Sequence, residues 1–167
     1  ENIEHYSAKN RCRCCGKVIL QDELKQCSGC MQAVYCSRSC QEEAWGGIPG
    51  CSIGIGHGSC CQDRHLNELE KNIHDVVNKL VAENKLNLLA QAAFQGCDIL
   101  DCFVWIHLKI PGITVEPARV ARHLASESFA KTIARNRSAG FVTTVCDFYS
   151  GQDGREYRLK MKHNLAN

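Results

Sequence analysis

The sequence CRCCGKVILQDELKQCSGCMQAVYCSRSCQEEAWGGIPGCSIGIGHGSCC, residues 12–61, contains four pairs of cysteine or histidine residues. The members of each pair are separated by two or three residues. The pairs are Cys12 and Cys15, Cys27 and Cys30, Cys36 and Cys40, and His57 and Cys61. A pair at this spacing directs both donor atoms onto one ion, and zinc takes four nitrogen or sulfur ligands in a tetrahedron. The eight residues therefore predict two bound zinc ions.

The distribution of cysteine favours metal binding over a disulfide framework. The chain has 13 cysteines in 167 residues, an odd number, and seven histidines accompany them. Ten of the 13 cysteines lie within residues 12–61. Paired C-x2-C spacing of this kind is typical of metal sites in a reducing compartment. We therefore expect an intracellular protein, in the nucleus or the cytoplasm.

Composition divides the chain into three parts. Residues 1–11 are polar and are predicted to be a flexible N-terminus. Residues 12–61 contain few aliphatic side chains, so bound metal must stabilise this part in place of a hydrophobic core. In small zinc peptides, each structural zinc ion contributes about 10–16 kcal/mol to the free energy of folding. Residues 62–167 form a predicted α+β region of the size at which a single core is self-sufficient. The expected fold is a small two-zinc finger followed by a small α+β domain.

Hydrophobic periodicity and turn residues predict the individual elements. In the finger they indicate strands at 17–20 and 33–35, a short helix at 39–45, and a flexible glycine-rich loop between Trp45 and His57. In the second region they indicate a helix at 64–83 capped by Asp63, a helix at 85–95 ending before Gly96, a strand at 102–110, a helix at 117–136, and a C-terminal hairpin of residues 141–149 and 155–162.

Charge argues against nucleic acid as a partner. The net charge of the chain is only +2, and four basic residues of the finger segment are balanced by four acidic ones. A zinc ion with four thiolates has a formal charge of −2, and one with three thiolates and a neutral histidine has −1. The loaded finger is thus negative, whereas binding to phosphates requires an excess of lysine and arginine. The chain also has no apolar run long enough to predict a membrane span.

The order of the ligand pairs resembles the MYND-type zinc finger. The resemblance rests on Cys27-Ser28-Gly29-Cys30, Tyr35-Cys36-Ser37, Cys40-Gln41 and Trp45. It implies a cross-braced arrangement of two zinc ions. One ion would be bound by Cys12, Cys15, Cys36 and Cys40, and the other by Cys27, Cys30, His57 and Cys61. Beyond the finger, the chain loosely resembles fungal MYND-domain proteins, in which an α/β region follows the finger.

One departure from the family pattern concerns the last pair of ligands. The family places its histidine three residues after the tryptophan and its last cysteine four residues later, where this chain has Ile48 and Ser52. Either the glycine-rich stretch is an insertion that restores the pair as His57 and Cys61, or the second site is degraded and Cys51 or Cys60 substitutes. We favour the insertion because His57-x3-Cys61 keeps the required spacing. Cys14 and Cys60 are then expected to be spectators.

The resemblance implies a protein-interaction module. MYND fingers bind short proline-containing peptides, and the positions that match the peptide contacts are Ser28, Gln41 and Trp45. An extended proline-rich segment is already ordered, so docking it beside an aromatic ring costs little entropy. Two alternatives remain open, a RING-like ubiquitin-ligase module and a purely structural staple. RING modules place a histidine in the middle of the ligand series, and none occurs between Cys30 and Cys36.

Catalysis is not predicted. The sequence after the finger does not resemble the SET methyltransferase motifs that accompany some MYND fingers, and it is too short for that fold. A thiol-dependent enzyme would need a cysteine paired with a histidine. The candidates are Cys97, Cys102 and Cys146 with His107 or His123, and we expect these cysteines to be small buried side chains instead. We therefore expect a non-enzyme.

Overall fold

The computed structural model describes residues 11–48, 51–109, 114–115, 119–121, 127–151 and 153–165. Over these residues the cysteine-rich finger lies against one edge of a mixed sheet that has helices on both faces. The elements, in chain order, are β1 (Lys25–Gln26), β2 (Val34–Tyr35), α1 (Arg38–Trp45), β3 (Gly54–Ile55), α2 (His57–Cys60), α3 (Arg64–Glu83), α4 (Lys85–Phe94), β4 (Phe103–Lys109), β5 (Thr114–Val115), β6 (Arg119–Ala121), α5 (Glu127–Ser138), β7 (Val142–Ser150) and β8 (Arg155–His163).

The first part of the finger contains a small hairpin and the helix α1. Strands β1 and β2 pair in antiparallel orientation, and α1 begins after Ser37, whose hydroxyl accepts a hydrogen bond from the backbone N–H of Cys40 at 3.1 Å. The strand predicted at 17–20 is wrong, because only Val18 pairs, in an isolated bridge with Arg11. The same bridge places Arg11 in the finger and not in a flexible terminus. Residues 1–10 lie outside the described residues.

Helices α3 and α4 confirm the predictions from periodicity. The side chain of Asp63 accepts a hydrogen bond from the backbone N–H of Leu66 at 3.1 Å, which satisfies a donor at the start of α3. The chain leaves α4 through Gly96, which has a φ of +67°, a conformation that side-chain-bearing residues rarely adopt. Every third or fourth residue of α3 is buried, as the apolar pattern requires.

The sheet has the strand order β3-β8-β7-β4-β5, and β6 also pairs with β4. Strands β7 and β8 form the predicted C-terminal hairpin, with Val142 opposite His163 and Ser150 opposite Arg155. Strand β4 runs parallel to β7, and β3 runs parallel to β8. The pairing of β3 corrects the prediction that the whole glycine-rich stretch is a flexible loop.

The helix predicted at 117–136 begins too early. Residues 119–121 are instead strand β6, antiparallel to β4, and the helix α5 starts only at Glu127. The backbone of Val120 also receives side-chain hydrogen bonds from α4, since its N–H donates to Gln91 at 2.9 Å and its carbonyl accepts from Gln95 at 3.1 Å. These partners are more than twenty residues away, so local periodicity did not reveal them. Residues 122–126 lie outside the described residues.

Successive residues of β4 are buried on opposite faces of the sheet, in two different cores. Val104, Ile106 and Leu108 join the large core formed with α3 and α4. Phe103 points to the other face and meets Phe129 of α5, with the two rings nearly perpendicular and their centroids 5.4 Å apart. The period of two along this strand therefore builds a core on each side of the sheet.

The finger joins the sheet through backbone hydrogen bonds. The N–H of Lys162 in β8 donates to the carbonyl of Cys14 at 3.0 Å, and the N–H of Arg158 donates to the carbonyl of Ile53 at 2.8 Å. The ammonium group of Lys162 also binds Glu43 of α1 at 2.7 Å, and both side chains are only about a tenth exposed. Burial lowers the pKa of Lys162, but the hydrogen bond to Glu43 outweighs it and raises the pKa. The finger thus completes the outer edge of β8.

Two buried histidines make the fold sensitive to acid. Burial lowers the pKa of His74 to about 4, although the charge of Glu70 opposes this change. Burial also lowers the pKa of His163 to about 3, and its Nε2 atom lacks a hydrogen-bond partner among the described residues. Because an unfolded histidine has a pKa near 6.5, the unfolded chain binds more protons below that pH. Stability is therefore fully present above pH 6.5 and falls as the pH is lowered towards the folded values.

We expect His163→Leu to flatten this pH dependence. Each histidine removes about 2 kcal/mol of stability between pH 7 and pH 5, since one pKa unit is worth about 1.4 kcal/mol. In the variant, the free energy of unfolding should fall by about 2 kcal/mol less between pH 7 and pH 5 than in the wild type. The variant should not be destabilised at pH 7, because it deletes a buried polar atom that has no hydrogen-bond partner among the described residues. Urea unfolding at both pH values measures the difference from the wild type. His65→Gln, at an exposed position of α3, is the control, and equal slopes for all three proteins would contradict the prediction.

Candidate metal centres

The first cluster of donors consists of Cys12, Cys15, Cys36 and Cys40. Their four sulfur atoms lie within 4.8 Å of one another. The Sγ atoms of Cys15 and Cys36 are 3.6 Å apart, as are those of Cys36 and Cys40. A tetrahedron with zinc–sulfur bonds of about 2.3 Å has edges of about 3.8 Å. The donor set and its spacing therefore fit one zinc ion.

Local backbone geometry brings the two pairs of this cluster together. After Cys15 the chain turns at Gly16, whose φ is +69° and whose N–H donates to the carbonyl of Cys12 at 3.0 Å. Cys36 directly follows β2, and Cys40 lies in the first turn of α1. The backbone N–H of Arg13 donates a hydrogen bond to the carbonyl of Val34 at 2.9 Å, which holds the turn of residues 12–16 beside β2.

The second cluster consists of Cys27, Cys30, His57 and Cys61, and its donor atoms also lie within 4.8 Å of one another. The Sγ atoms of Cys27 and Cys61 are 3.7 Å apart, and Sγ of Cys30 is 3.5 Å from Nε2 of His57. The sulfur–nitrogen edge of a zinc tetrahedron is about 3.6 Å. This cluster fits a second zinc ion, and it contains His57 and Cys61, as the insertion hypothesis requires.

The remaining cysteines of the finger lie outside both clusters. Cys14 and Cys60 are buried, and burial raises the pKa of the Cys60 thiol above its ordinary value. Cys51 is partly buried against the small core that contains Ile48. None of the three belongs to a cluster of metal donors among the described residues. This placement agrees with the prediction that Cys14 and Cys60 are spectators, and it does not favour Cys51 or Cys60 as a replacement ligand.

A carboxylate that the sequence analysis missed orients His57. The Nδ1 atom of His57 lies 3.2 and 3.1 Å from the two carboxylate oxygens of Glu70, and both side chains are buried. Burial lowers the pKa of His57, but the hydrogen bond and charge of Glu70 outweigh it and raise the pKa to about 9. When a metal ion takes the place of the proton on Nε2, the atom beside Cys30, the carboxylate of Glu70 keeps the other proton on Nδ1. Carboxylates of this kind fix the tautomer and ring orientation of metal-binding histidines.

Arg13 completes the buried network around Glu70. Its Nη1 atom donates to Oδ1 of Asn67 at 2.5 Å and lies 3.2 Å from Oε1 of Glu70. Asn67, Glu70 and His74 are buried polar residues on the same helix that buries Ile73 and Val77. Polar residues at helical spacing within the apolar face were the signal that the sequence offered. Their partner, Arg13, lies more than fifty residues earlier, so the pattern did not identify it.

Hydrogen bonds prepare Cys30 for metal binding. Burial raises the pKa of its thiol, but backbone N–H groups that follow it and the side chains of Asn67 and His57 outweigh this effect and lower the pKa to about 6. The N–H of Ala33 donates to the sulfur at 3.5 Å. Since the thiolate is the form that binds metal, this environment favours the bound state.

Trp45 covers the second cluster from outside. Its ring meets the ring of His57 edge-on at a centroid distance of 6.0 Å, yet 51% of its surface is exposed. Two glycines make room for this contact, Gly56 in the inserted stretch and Gly58 between His57 and Cys61. A Cβ atom on Gly58 would lie 2.9 Å from the Trp45 ring, and one on Gly56 would lie 2.5 Å from the backbone of Gly46.

The other predicted peptide contacts lie on two different elements of the finger. Ser28 is exposed between the two donors Cys27 and Cys30, and Gln41 lies one helical turn before Trp45 on α1. Residues four apart on a helix share a face, so the amide of Gln41 and the ring of Trp45 point in similar directions. Ser28 thus lies between two donors of the second cluster, Trp45 contacts the histidine of that cluster, and Gln41 follows Cys40, a donor of the first cluster.

The arrangement indicates structural metal centres. Each cluster offers four protein donors, which leaves no open position for a catalytic water. Among the thiols proposed for catalysis, Cys146 is buried, and burial raises its pKa above the ordinary value. The sulfurs of Cys97 and Cys102 lie 2.9 Å from each other. His123 lies outside the described residues. No helix of the described part of the chain is long and apolar enough to cross a membrane.

Residues 12–47 match the family model of the MYND finger. A search of curated proteins and a search of solved structures found no match to this chain. The match confirms a MYND-type zinc finger, which is generally a zinc-binding protein-interaction module, and the two clusters fit the two zinc ions of such a finger. A mixed helix and sheet region follows it. The resemblance of that region to fungal proteins and the boundary between residues 61 and 62 stay predictions.

Proposed function

We propose that this chain binds two zinc ions in a cross-braced finger and uses the surface around Trp45 to bind a short proline-containing segment of a protein partner. The observation that supports this function is a half-exposed tryptophan ring held in place by the metal-site histidine. The proposed location is intracellular, in the nucleus or the cytoplasm. Neither nucleic acid nor membrane is proposed as a partner.

Cross-bracing is the proposed arrangement of the ligands. The first ion would be bound by Cys12, Cys15, Cys36 and Cys40, and the second by Cys27, Cys30, His57 and Cys61. The two donor clusters alternate along the chain, so each ion would tie together segments that are distant in sequence. The second ion would also tie the finger to α3, because His57 bonds to Glu70 of that helix. The backbone contacts between the finger and β8 support the same rigid attachment.

The surface of the second centre has the chemistry of a peptide site. Trp45 offers an apolar ring on which a proline ring can stack. A proline-rich segment is already extended and ordered before it binds, so it loses little conformational entropy. Gln41 and Ser28 provide an amide and a hydroxyl that can bond to peptide carbonyl groups. Packing against His57 fixes the tryptophan ring before binding, so little side-chain entropy is lost on docking. We propose that this surface acts by binding and does not catalyse a reaction.

Trp45→Ala is expected to weaken peptide binding strongly without loss of metal. Central tryptophans of an interface contribute 2 kcal/mol or more, which corresponds to an affinity loss of about thirtyfold. An array of proline-containing peptides, followed by fluorescence polarisation with the best of them, measures this loss. Native mass spectrometry of the same variant should show an unchanged number of zinc ions.

The matched control is Phe94→Ala, which removes another exposed aromatic side chain, on α4 and away from the finger. That variant should bind the peptide as the wild type does. Equal weakening by both variants would contradict the proposed surface. An assay of ubiquitin discharge from a charged conjugating enzyme tests the ligase alternative, and stimulated discharge would overturn the proposal of a binding module.

A further inference from the structure

The sulfur atoms of Cys97 and Cys102 are 2.9 Å apart. Two unbonded sulfur atoms in van der Waals contact are about 3.6 Å apart, whereas a disulfide bond measures about 2.0 Å. The distance thus lies between contact and bond. In the finger, by contrast, the sulfur pairs Cys15–Cys36, Cys36–Cys40 and Cys27–Cys61 are separated by 3.6 to 3.7 Å, as tetrahedral metal ligands should be. The sulfur–sulfur distance of Cys97 and Cys102 is therefore typical of two thiols that can form a disulfide, and it is shorter than the distance between two ligands of one metal ion.

The backbone around the pair holds both cysteines in place. Cys97 follows Gly96 at the end of α4, and its N–H donates to the carbonyl of Ala92 at 3.0 Å. Cys102 ends a short turn in which Asp98 accepts a hydrogen bond from the N–H of Leu100 at 2.9 Å. The N–H of Cys102 also donates to the carbonyl of Ile99 at 3.2 Å. This turn brings the end of α4 back to the start of β4.

The two cysteines differ in accessibility. Cys97 is half-buried, whereas Cys102 is almost completely buried. A reagent therefore reaches Cys97 first, and Cys102 is positioned to react only with its neighbour. This asymmetry is typical of a reactive cysteine with a resolving partner. Neither residue belongs to a metal cluster among the described residues.

We propose that Cys97 and Cys102 are a redox-active dithiol that a low-molecular-weight disulfide, such as oxidised glutathione, converts into an intramolecular disulfide. The thiolate of Cys97 attacks one sulfur of the glutathione disulfide, and one glutathione thiolate leaves. The thiolate of Cys102 then attacks Cys97 in the mixed disulfide, and the second glutathione thiolate leaves. The protein loses two protons and two electrons, and the glutathione disulfide gains both electrons. The new bond fixes the end of α4 to the start of β4.

Tryptic mapping of the zinc-loaded protein tests this proposal. The peptide between Lys85 and Lys109 contains Cys97 and Cys102 and no other cysteine or internal cleavage site. The protein is equilibrated with graded ratios of oxidised to reduced glutathione, quenched in acid, alkylated under denaturing conditions and digested. The reduced peptide has two alkyl groups, and the disulfide form has none. A synthetic peptide of residues 86–109 is treated in parallel.

We expect the disulfide to form in the folded protein at a ratio of oxidised to reduced glutathione at least about tenfold lower than the synthetic peptide requires. The reason is that the fold holds the two sulfur atoms together. Cys97→Ser should leave a single alkylated cysteine, and Cys146→Ser should leave the reaction unchanged. The proposal is overturned if the peptide keeps both alkyl groups up to the ratio at which the finger releases zinc. It is also overturned if two separate glutathione adducts form, or if the protein and the peptide oxidise at the same ratio.

Discussion

Native mass spectrometry is expected to find two zinc ions in the unaltered chain and one in the double variant His57→Ala, Cys61→Ala. The double variant removes both donors that follow the glycine-rich insertion and leaves the cluster of Cys12, Cys15, Cys36 and Cys40 intact. Cys14→Ala is the matched control, because it removes a buried finger cysteine outside both clusters. It should keep both ions. A single ion in the unaltered chain would contradict the second site.

Removal of both ions with a chelator is expected to destabilise more than the finger. Structural zinc contributes about 10–16 kcal/mol per site, which is as large as the whole stability of a typical domain, about 5–15 kcal/mol. The outer edge of β8 is paired with the finger through Lys162 and Arg158. Hydrogen exchange should therefore show loss of protection in β8 as well as in residues 12–61. Unchanged protection of β8 after zinc removal would mean that the sheet does not depend on the finger.

Glu70→Gln is expected to weaken the second zinc site and the fold together. Loss of a carboxylate that orients a metal-binding histidine typically costs 10- to 100-fold in metal affinity. The change also leaves the guanidinium of Arg13 buried without its counter-charge, which costs about 3–5 kcal/mol. Competition with a zinc indicator measures the affinity, and urea unfolding measures the stability. Glu68→Gln, at an exposed position of the same helix, should change neither quantity.

A double variant separates the two effects of Glu70. Glu70→Leu combined with Arg13→Met removes both charges, and replacing a buried ion pair by apolar residues is often neutral or stabilising. Stability should therefore recover relative to Glu70→Gln. Affinity for the second zinc should not recover, because Nδ1 of His57 still lacks its acceptor. Recovery of both quantities would mean that Glu70 only neutralises Arg13 and does not orient His57.

Local patterns were sufficient for the elements that depend on neighbouring residues. The helix at 64–83 and the C-terminal hairpin follow from apolar repeats and a turn, and the structure contains both. Strand β6 was missed because its hydrogen-bond partners lie in β4 and α4. A short apolar segment has the same composition in a helix and in a strand, and only a distant partner distinguishes the two.

The two metal clusters show which features of the sites ligand spacing predicts and which it does not. Spacing alone paired the donors in twos, and the family resemblance divided the pairs between two ions in the way the structure groups them. The sequence did not identify Glu70 or Arg13, because a buried charge is interpretable only when its counter-charge is known. It also did not reveal the close approach of Cys97 and Cys102, which depends on the turn between α4 and β4.

The amino-acid sequence by itself determined that this protein has a two-zinc finger of the MYND type followed by helices and strands. Ligand spacing and hydrophobic period are properties of neighbouring residues, so they can be read without a fold. Only the tertiary structure decided that the finger completes the edge of β8 and that Glu70 of α3 holds the histidine of the second centre. Backbone pairing and charge compensation join residues that are far apart in the chain, and folding alone brings them within hydrogen-bonding distance.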